Sequence, residues 1–277
     1  MTVTRIALFQ SRTGIDPEVN ATALVDAVEA AAAGGAAILF TPEMSGLLDR
    51  DAQRAAPKLR EEGEDEVLAA CREAAKRHGL WLHLGSLAVR AEDGKIANRA
   101  FLIDSDGEIR ARYDKIHLFD VDLPTGESWR ESAVYRGGTE AVVVDDTPVG
   151  RLGLSICYDI RFPALFAKLA EAGAQVIAVP AAFTVPTGRA HWEILLRARA
   201  IEAGVFIVAA AQFGHHEDGR ETYGHSLVVD PWGQVLLDMA DETGVAFADL
   251  DLSRIDEVRR RIPALAHRRP IPEVVRR

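Results

Sequence analysis

Cys157 lies in the run Gly153-Leu154-Ser155-Ile156-Cys157-Tyr158-Asp159, and a thiol in that setting can do covalent chemistry. The apolar stretch 149–156 predicts a strand that stops just before the cysteine, and a helical pattern opens near Arg161-Phe162-Pro163. The thiol is thereby set at a strand-to-helix elbow, where a nucleophile can stand exposed and backbone N–H groups can point at it. A thiolate attacks carbonyl or nitrile carbon well once another group manages its proton.

Two side chains are candidates for that task. Glu43 follows Pro42 at the C-terminal end of a predicted apolar strand, 36–40, the end at which α/β proteins collect their sites. Beside apolar surface its carboxyl is expected to have a raised pKa and to act as a general base. Lys115 follows a predicted hairpin and precedes the apolar run 116–119. An ammonium held there can stabilise an oxyanion and steady a thiolate. Taken singly, each has a plainer reading: a core cysteine, a solvated loop glutamate, a surface lysine. No histidine is close to Cys157 in sequence. His117, His191, His215, His216 and His225 reach it only through the fold, so a Cys–His pair stays open.

The elements that must position these groups are legible from periodicity. Strands are expected at 6–10, 36–40 and 80–89, followed by a hairpin of 99–103 and 109–113 turning at Asp104-Ser105-Asp106-Gly107. Helices are expected at 19–33, stopped by Gly34-Gly35, and at 66–78. The second half alternates in the same way, with strands 142–144 and 152–156, helix 163–172, strand 176–180, helix 190–203 and strand 205–211. A hairpin of 225–229 and 235–237, a strand 244–250 and a helix 253–261 complete it. Two β-α-β-like halves with antiparallel hairpins predict mixed sheets with helices outside. No linker rich in Gly, Pro or Ser interrupts 1–277, so one domain is expected, with the basic, proline-punctuated 262–277 as a C-terminal arm. That arm reads as a solvated end, or as a segment packed on a neighbouring subunit or on its own acidic surface.

Thr187, Arg189, His191 and Trp192 follow Pro180-Ala181-Ala182-Phe183 at another strand end. With Tyr158 and Phe183 they are candidates to line a substrate pocket, and Arg189 to meet a substrate carboxylate. Phe183, Tyr158 and Trp192 read equally as packing aromatics, and Arg161 with Asp159 as a structural pair beside the nucleophile. His215-His216-Glu217 with His225 has the wrong spacing for a metal site and reads as a loop between strands. No phosphate loop or Gly-x-Gly-x-x-Gly is present, so neither metal nor cofactor is expected.

Of the 277 residues 48 % are hydrophobic and 27 % charged, and 42 acidic against 32 basic side chains leave a net charge of −10. That balance argues against nucleic acid or an anionic membrane as the main partner. Two cysteines make no disulfide framework, and Cys71, within the helical pattern 66–78, reads as a plain buried thiol. Neither a targeting segment nor a membrane span is read, so a cytoplasmic protein with a reduced thiol is expected.

Three segments together resemble the nitrilase superfamily of carbon–nitrogen hydrolases: Phe40-Thr41-Pro42-Glu43, Tyr113-Asp114-Lys115-Ile116-His117-Leu118 and Ile156-Cys157-Tyr158-Asp159-Ile160-Arg161-Phe162. Arg130-Glu131-Ser132, Thr187-Gly188-Arg189-Ala190-His191-Trp192-Glu193 and Tyr223-Gly224-His225-Ser226 resemble its amidase branch, that of the deaminated glutathione amidases and omega-amidases. The resemblance implies a four-layer α-β-β-α sandwich that dimerises through helices, and needs no cofactor. It implies Cys157 as nucleophile, Glu43 as general base and Lys115 as oxyanion donor, helped by a backbone N–H near Tyr158. Glu131, rather than the nearby Glu127, would position lysine or substrate. The implied substrate is a small carboxylate-bearing amide such as deaminated glutathione. Alternatives are 2-oxoglutaramate, a nitrile and an N-carbamoyl amino acid, or a retired scaffold. The sequence departs from its relatives at Ala164, where many carry glutamate, and after Arg269, where the branch's Asp-Leu-Tyr ending is missing.

Overall fold

Alternating inward and outward apolar residues open the chain as strand β1 (Val3–Gln10). The computed structural model describes residues 3–91, 93–122, 126 and 128–277. After β1 come α1 (Pro17–Ala33), β2 (Ile38–Phe40), α2 (Glu66–His78), β3 (Trp81–Arg90), β4 (Ile96–Ile103) and β5 (Ile109–Asp114). The second half holds β6 (Val143–Thr147), β7 (Gly150–Leu154), α3 (Pro163–Glu171), β8 (Val176–Ala178), α4 (Val185–Ala203) and β9 (Phe206–Ala209). It ends with β10 (Leu227–Val229), β11 (Val235–Asp238), β12 (Gly244–Asp251) and α5 (Ser253–Arg261).

One sheet runs β12-β1-β2-β3-β4-β5, parallel across β1-β2-β3 and antiparallel elsewhere. The other runs β6-β7-β8-β9-β10-β11, parallel across β7-β8-β9. Side-chain alternation divides the core. Ile6, Leu8, Ile38, Phe40, Ala100 and Leu102 pack into a cluster with the second sheet, α3 and α4. Their neighbours Ala7, Leu39, Phe101 and Ile103 pack with Leu24 and Val28 of α1 and Leu68 and Cys71 of α2. The result is a four-layer α-β-β-α sandwich with two mixed sheets and outer helices.

Local chemistry sets the helix ends. Asp16 caps α1 through Glu18 N–H, with Pro17 in the first turn. Asp65 caps α2 through Leu68 N–H, and Gly79 closes it at φ 61°, a left-handed conformation that suits glycine. Helix α4 starts at Val185, five residues before the expected 190, because Pro186 sits in its first turn, where a missing N–H leaves no bond unmade. The segment expected as a loop near 213–219 instead forms a small hairpin of Phe213–His215 and Glu221–Tyr223. Past α5 the chain has no further strand or long helix, and Arg268 at the base of the arm bonds Glu171 and Ala167 O on α3 at 2.8 and 3.2 Å. No helix among the described residues is long and apolar enough to cross a membrane.

Candidate active site

Glu43, Lys115, Glu131 and Cys157 all stand just past the ends of strands. β7 stops at Leu154, earlier than expected. Ser155 Oγ then donates to Ala178 O at 2.7 Å, and Cys157 N–H donates to Pro180 O at 2.8 Å. Cys157 has φ 47°, a left-handed conformation that costs a non-glycine residue on the order of 1–3 kcal/mol. A single 3-10 turn, Cys157–Arg161, follows and leads into α3. The elbow is as expected, but the thiol is buried rather than exposed, at 8 %.

Glu43 leaves β2 through Thr41, whose N–H donates to His83 O at 3.0 Å, and its own carbonyl accepts Gln212 Nε2 at 3.0 Å. Gly85 lets β3 pass close to both loops. A Cβ there would stand 2.0 Å from Thr41 O, 2.5 Å from Pro42 O and 2.6 Å from Pro180 Cβ. Lys115 follows β5, held by its N–H to Asn98 O at 2.9 Å. Glu131 opens a 3-10 turn after the strand Ser128–Arg130, which pairs with Asp120–Asp122.

Lys115 Nζ lies 2.9 Å from Glu43 Oε1 and 2.9 Å from Glu131 Oε2. Asn98 Nδ2 donates to Glu43 Oε1 at 2.9 Å and to Glu131 Oε1 at 3.3 Å. Ala182 N–H donates to Glu43 Oε2 at 2.9 Å, and Phe119 N–H to Glu131 Oε2 at 2.6 Å. The Cys157 thiol lies beside the Glu43 carboxylate, within the field of Lys115.

The electrostatics correct one expectation. Burial pushes the Glu43 carboxyl up, but the Lys115 charge and hydrogen bonds from Cys157, Lys115 and Asn98 outweigh it and hold the pKa below the ordinary range. For Lys115, burial acts downward and the Glu131 and Glu43 carboxylates win, holding it well above its ordinary value. Burial and the Glu43 charge push the Cys157 thiol well above its ordinary value, against the pull of Lys115. Those directions describe a neutral thiol beside a carboxylate and an ammonium.

The remaining candidates fall into two groups. Tyr158 meets Phe119 and Phe162 edge-on at 5.0 and 5.3 Å, and Phe183 is buried against Trp192 at 4.7 Å. Trp192 is 1 % exposed, with its indole N–H donating to His225 O at 2.8 Å, so it backs Phe183 from the core. Thr187 bonds Thr184 Oγ1 at 2.8 Å in the first turn of α4, and Arg189 and His191 are exposed on that helix. Glu127 lies outside the described residues.

The expected Arg161–Asp159 pair does not form. Asp159 bonds Tyr113 and His117, while the Arg161 guanidinium lies over the Phe183 and Tyr158 rings at 5.4 and 6.0 Å and 3.4 Å from His191 Nδ1. A flat guanidinium covers aromatic faces more readily than it reaches back along its own 3-10 turn. His117 is committed to Asp159 at 2.7 Å and stacks on Phe162 at 3.6 Å. His215, His216 and His225 disperse to Glu221, to Thr13 O and Thr222, and to Asp238. Cys71 is fully buried, and burial pushes its thiol up to about 12.

Asn98 was not anticipated from the sequence. Its signal was a carboxamide sharing the inward face of β4 with Ala100 and Leu102, an apolar face where a polar side chain needs partners. The Ala182 N–H carried no signal, since a backbone donor has no residue type.

The carbon–nitrogen hydrolase family profile matches residues 5–260. The chain is 42 % identical to the nitrilase and fragile histidine triad fusion protein NitFhit of Caenorhabditis elegans over 95 % of its own length. It spans 60 % of that relative, whose crystal structure superposes with a TM-score of 0.89 at 41 % identity, covering 97 % of this chain and 66 % of that one. It is 42 % identical to a deaminated glutathione amidase of Yersinia enterocolitica, covering 88 % of this chain and 85 % of that protein. An amidase from Nesterenkonia superposes with a TM-score of 0.79 at 29 % identity over 96 % of this chain and 94 % of that one. In that structure, of a glutamate-to-glutamine variant, the acetamide moiety of fluoroacetamide is covalently attached to the active-site cysteine. The fold, the strand-end cluster and these likenesses lead to one assignment: the chain belongs to the carbon–nitrogen hydrolase family.

Proposed function

We propose that this chain is an amidase that cleaves a small carboxylate-bearing amide through a thioester on Cys157. One observation carries the reading: the Glu43 carboxylate lies beside the Cys157 thiol while its oxygens bond the Lys115 ammonium and the Ala182 N–H. Cys157 sulfur attacks the amide carbon as its proton passes to Glu43. Lys115, with a backbone N–H near Tyr158, holds the developing oxyanion, and each such donor is worth about 3 kcal/mol. Glu43 hands the proton to the leaving nitrogen, the C–N bond breaks, and ammonia or an amine departs. Glu43 then takes a proton from water, which attacks the thioester and frees the acid and the thiol. Glu131 and Asn98 fix Lys115 and Glu43 against one another.

The Arg161 cation, with no ion pair among the described residues and lying on the rings next to Cys157 and Ala182, suits the substrate carboxylate better than the exposed Arg189. Likeness to deaminated glutathione amidases favours deaminated glutathione as substrate. Residues 1–277 act as one hydrolase unit with 262–277 as its arm, in the cytoplasm, where its two thiols stay reduced. Exposed Ile194 and Ile201 on α4 support a homo-oligomer joined through that helix.

The test compares wild type with Cys157→Ala on deaminated glutathione, 2-oxoglutaramate, a nitrile and an N-carbamoyl amino acid. The expected result is Cys157-dependent hydrolysis with the highest kcat/KM on deaminated glutathione. A higher value on another compound reassigns the substrate, and activity that survives Cys157→Ala ends the proposal.

A further inference from the structure

Asp159 has no solvent exposure and takes no part in the steps above. Its Oδ2 accepts Tyr113 O–H at 2.7 Å and Ile156 N–H at 2.9 Å. Its Oδ1 accepts His117 N–H at 3.1 Å and faces His117 Nδ1 at 2.7 Å. A carboxylate oxygen has no proton to give, so the ring nitrogen donates. Tyr113 and His117 are the residues two before and two after Lys115, and Ile156 immediately precedes Cys157. One buried carboxylate therefore ties both flanks of the lysine to the backbone of the nucleophile's elbow. The His117–Phe162 stack, at 3.6 Å and 6°, closes the same joint from outside.

Four donors on two oxygens is a demand that only a carboxylate meets. Asparagine has one accepting oxygen and would turn an N–H₂ toward two of the donors. The lysine and the sulfur come from different sheets, so their separation depends on what joins β5 to the elbow after β7.

We propose that Asp159 is a positioning residue that sets the distance between the Lys115 ammonium and the Cys157 sulfur. The proposal rests on reading these two as oxyanion donor and nucleophile. Asp159 touches no substrate and acts on hydrolysis through that distance alone.

The test uses Asp159→Asn and the milder Tyr113→Phe, which removes one of the four bonds and keeps the ring. Measured are kcat and KM per titrated active site, and the pH profile of Cys157 alkylation by iodoacetamide, with Cys71 as the buried control. A misplacement of this kind lowers kcat about 100-fold in Asp159→Asn and about tenfold in Tyr113→Phe, with KM changed less than about threefold. In both, the alkylation inflection of Cys157 moves to higher pH, because the ammonium that favours the thiolate stands farther away. A folded Tyr113→Phe protein with kcat within about twofold of wild type and an unmoved inflection overturns the proposal, even if its Tm is lower. If wild type hydrolyses none of the four compounds while the inflection still moves in the variants, positioning by Asp159 stands and the hydrolase reading falls.

Discussion

Lys115 Nζ and Glu43 Oε1 stand 2.9 Å apart, with Lys115 2 % exposed and Glu43 5 % exposed. The ammonium answers two carboxylates at once, because Glu131 also lies 2.9 Å from it. Removing the lysine charge leaves two buried carboxylates uncompensated, whereas removing the Glu43 charge leaves the ammonium paired with Glu131.

Lys115→Met should therefore act on stability as well as on chemistry. Stripping one partner from a buried ion cluster costs roughly 3–5 kcal/mol, and losing an oxyanion donor lowers kcat about 100- to 1000-fold. Urea denaturation and steady-state kinetics check the two effects. Unchanged stability would show that the cluster is solvated in solution.

The pH profile follows from the directions of the shifts. In the proposed mechanism Glu43 must be ionised to accept the thiol proton, and its pKa lies below the ordinary 4.5. The acid limb of kcat/KM should therefore fall below that value, with no loss near neutrality. Lys115 lies above 10.5, so its charge persists through the alkaline range. Stability has its own acid window from His83, which is fully buried and pushed by burial from 6.5 down to about 3. Below 6.5 the unfolded chain binds a proton that folded His83 refuses, so stability declines by about 1.4 kcal/mol per pH unit in that window. His83→Leu should flatten this slope in thermal melts taken between pH 7 and pH 4. An equally steep slope in the variant would contradict the assignment.

Gly85→Ala tests the close approach of β3 to the loops that carry Glu43 and support Cys157. Its Cβ would meet backbone oxygens at 2.0 and 2.5 Å, which cannot swing aside as a side-chain tip can. Overpacking of this kind costs about 1–3 kcal/mol, and a shift of the Glu43 loop near 1 Å costs about 100-fold in rate. Kinetics beside Tm resolve the two, and wild-type kcat would show that the strand gives way instead.

Arg161→Gln should raise KM about tenfold or more for a carboxylate-bearing amide while leaving a neutral short amide within about twofold. Arg189→Gln should leave both within about twofold. The reverse ranking in the same kinetic assay would move the carboxylate subsite onto α4.

The fold was legible because each half of the chain announces itself by local pattern: Gly34-Gly35 stop α1, and Asp104 to Gly107 turn one hairpin. The elbow at Cys157 was legible because an apolar run ends there and Pro163 opens α3. The sign of the Glu43 shift was not. Sequence shows a carboxyl beside apolar residues, but only the fold brings Lys115 and Asn98 to it, across 72 and 55 residues of chain. The fate of Arg161 was hidden for the same reason, since Phe183 arrives from the far end of β8. Short strands such as Phe213–His215 escaped notice because three residues are too few for a period to appear.

The central claim is a covalent acyl-enzyme on one sulfur. The most direct measurement is intact-protein and peptide mass spectrometry of the wild-type protein, acid-quenched on a rapid-mixing time scale during turnover of deaminated glutathione. Part of the sites should then carry the acyl group, adding the acyl mass to the peptide that contains Cys157 and none to the peptide that contains Cys71. An adduct on any other residue, or rapid turnover by Cys157→Ala with no adduct, would contradict it.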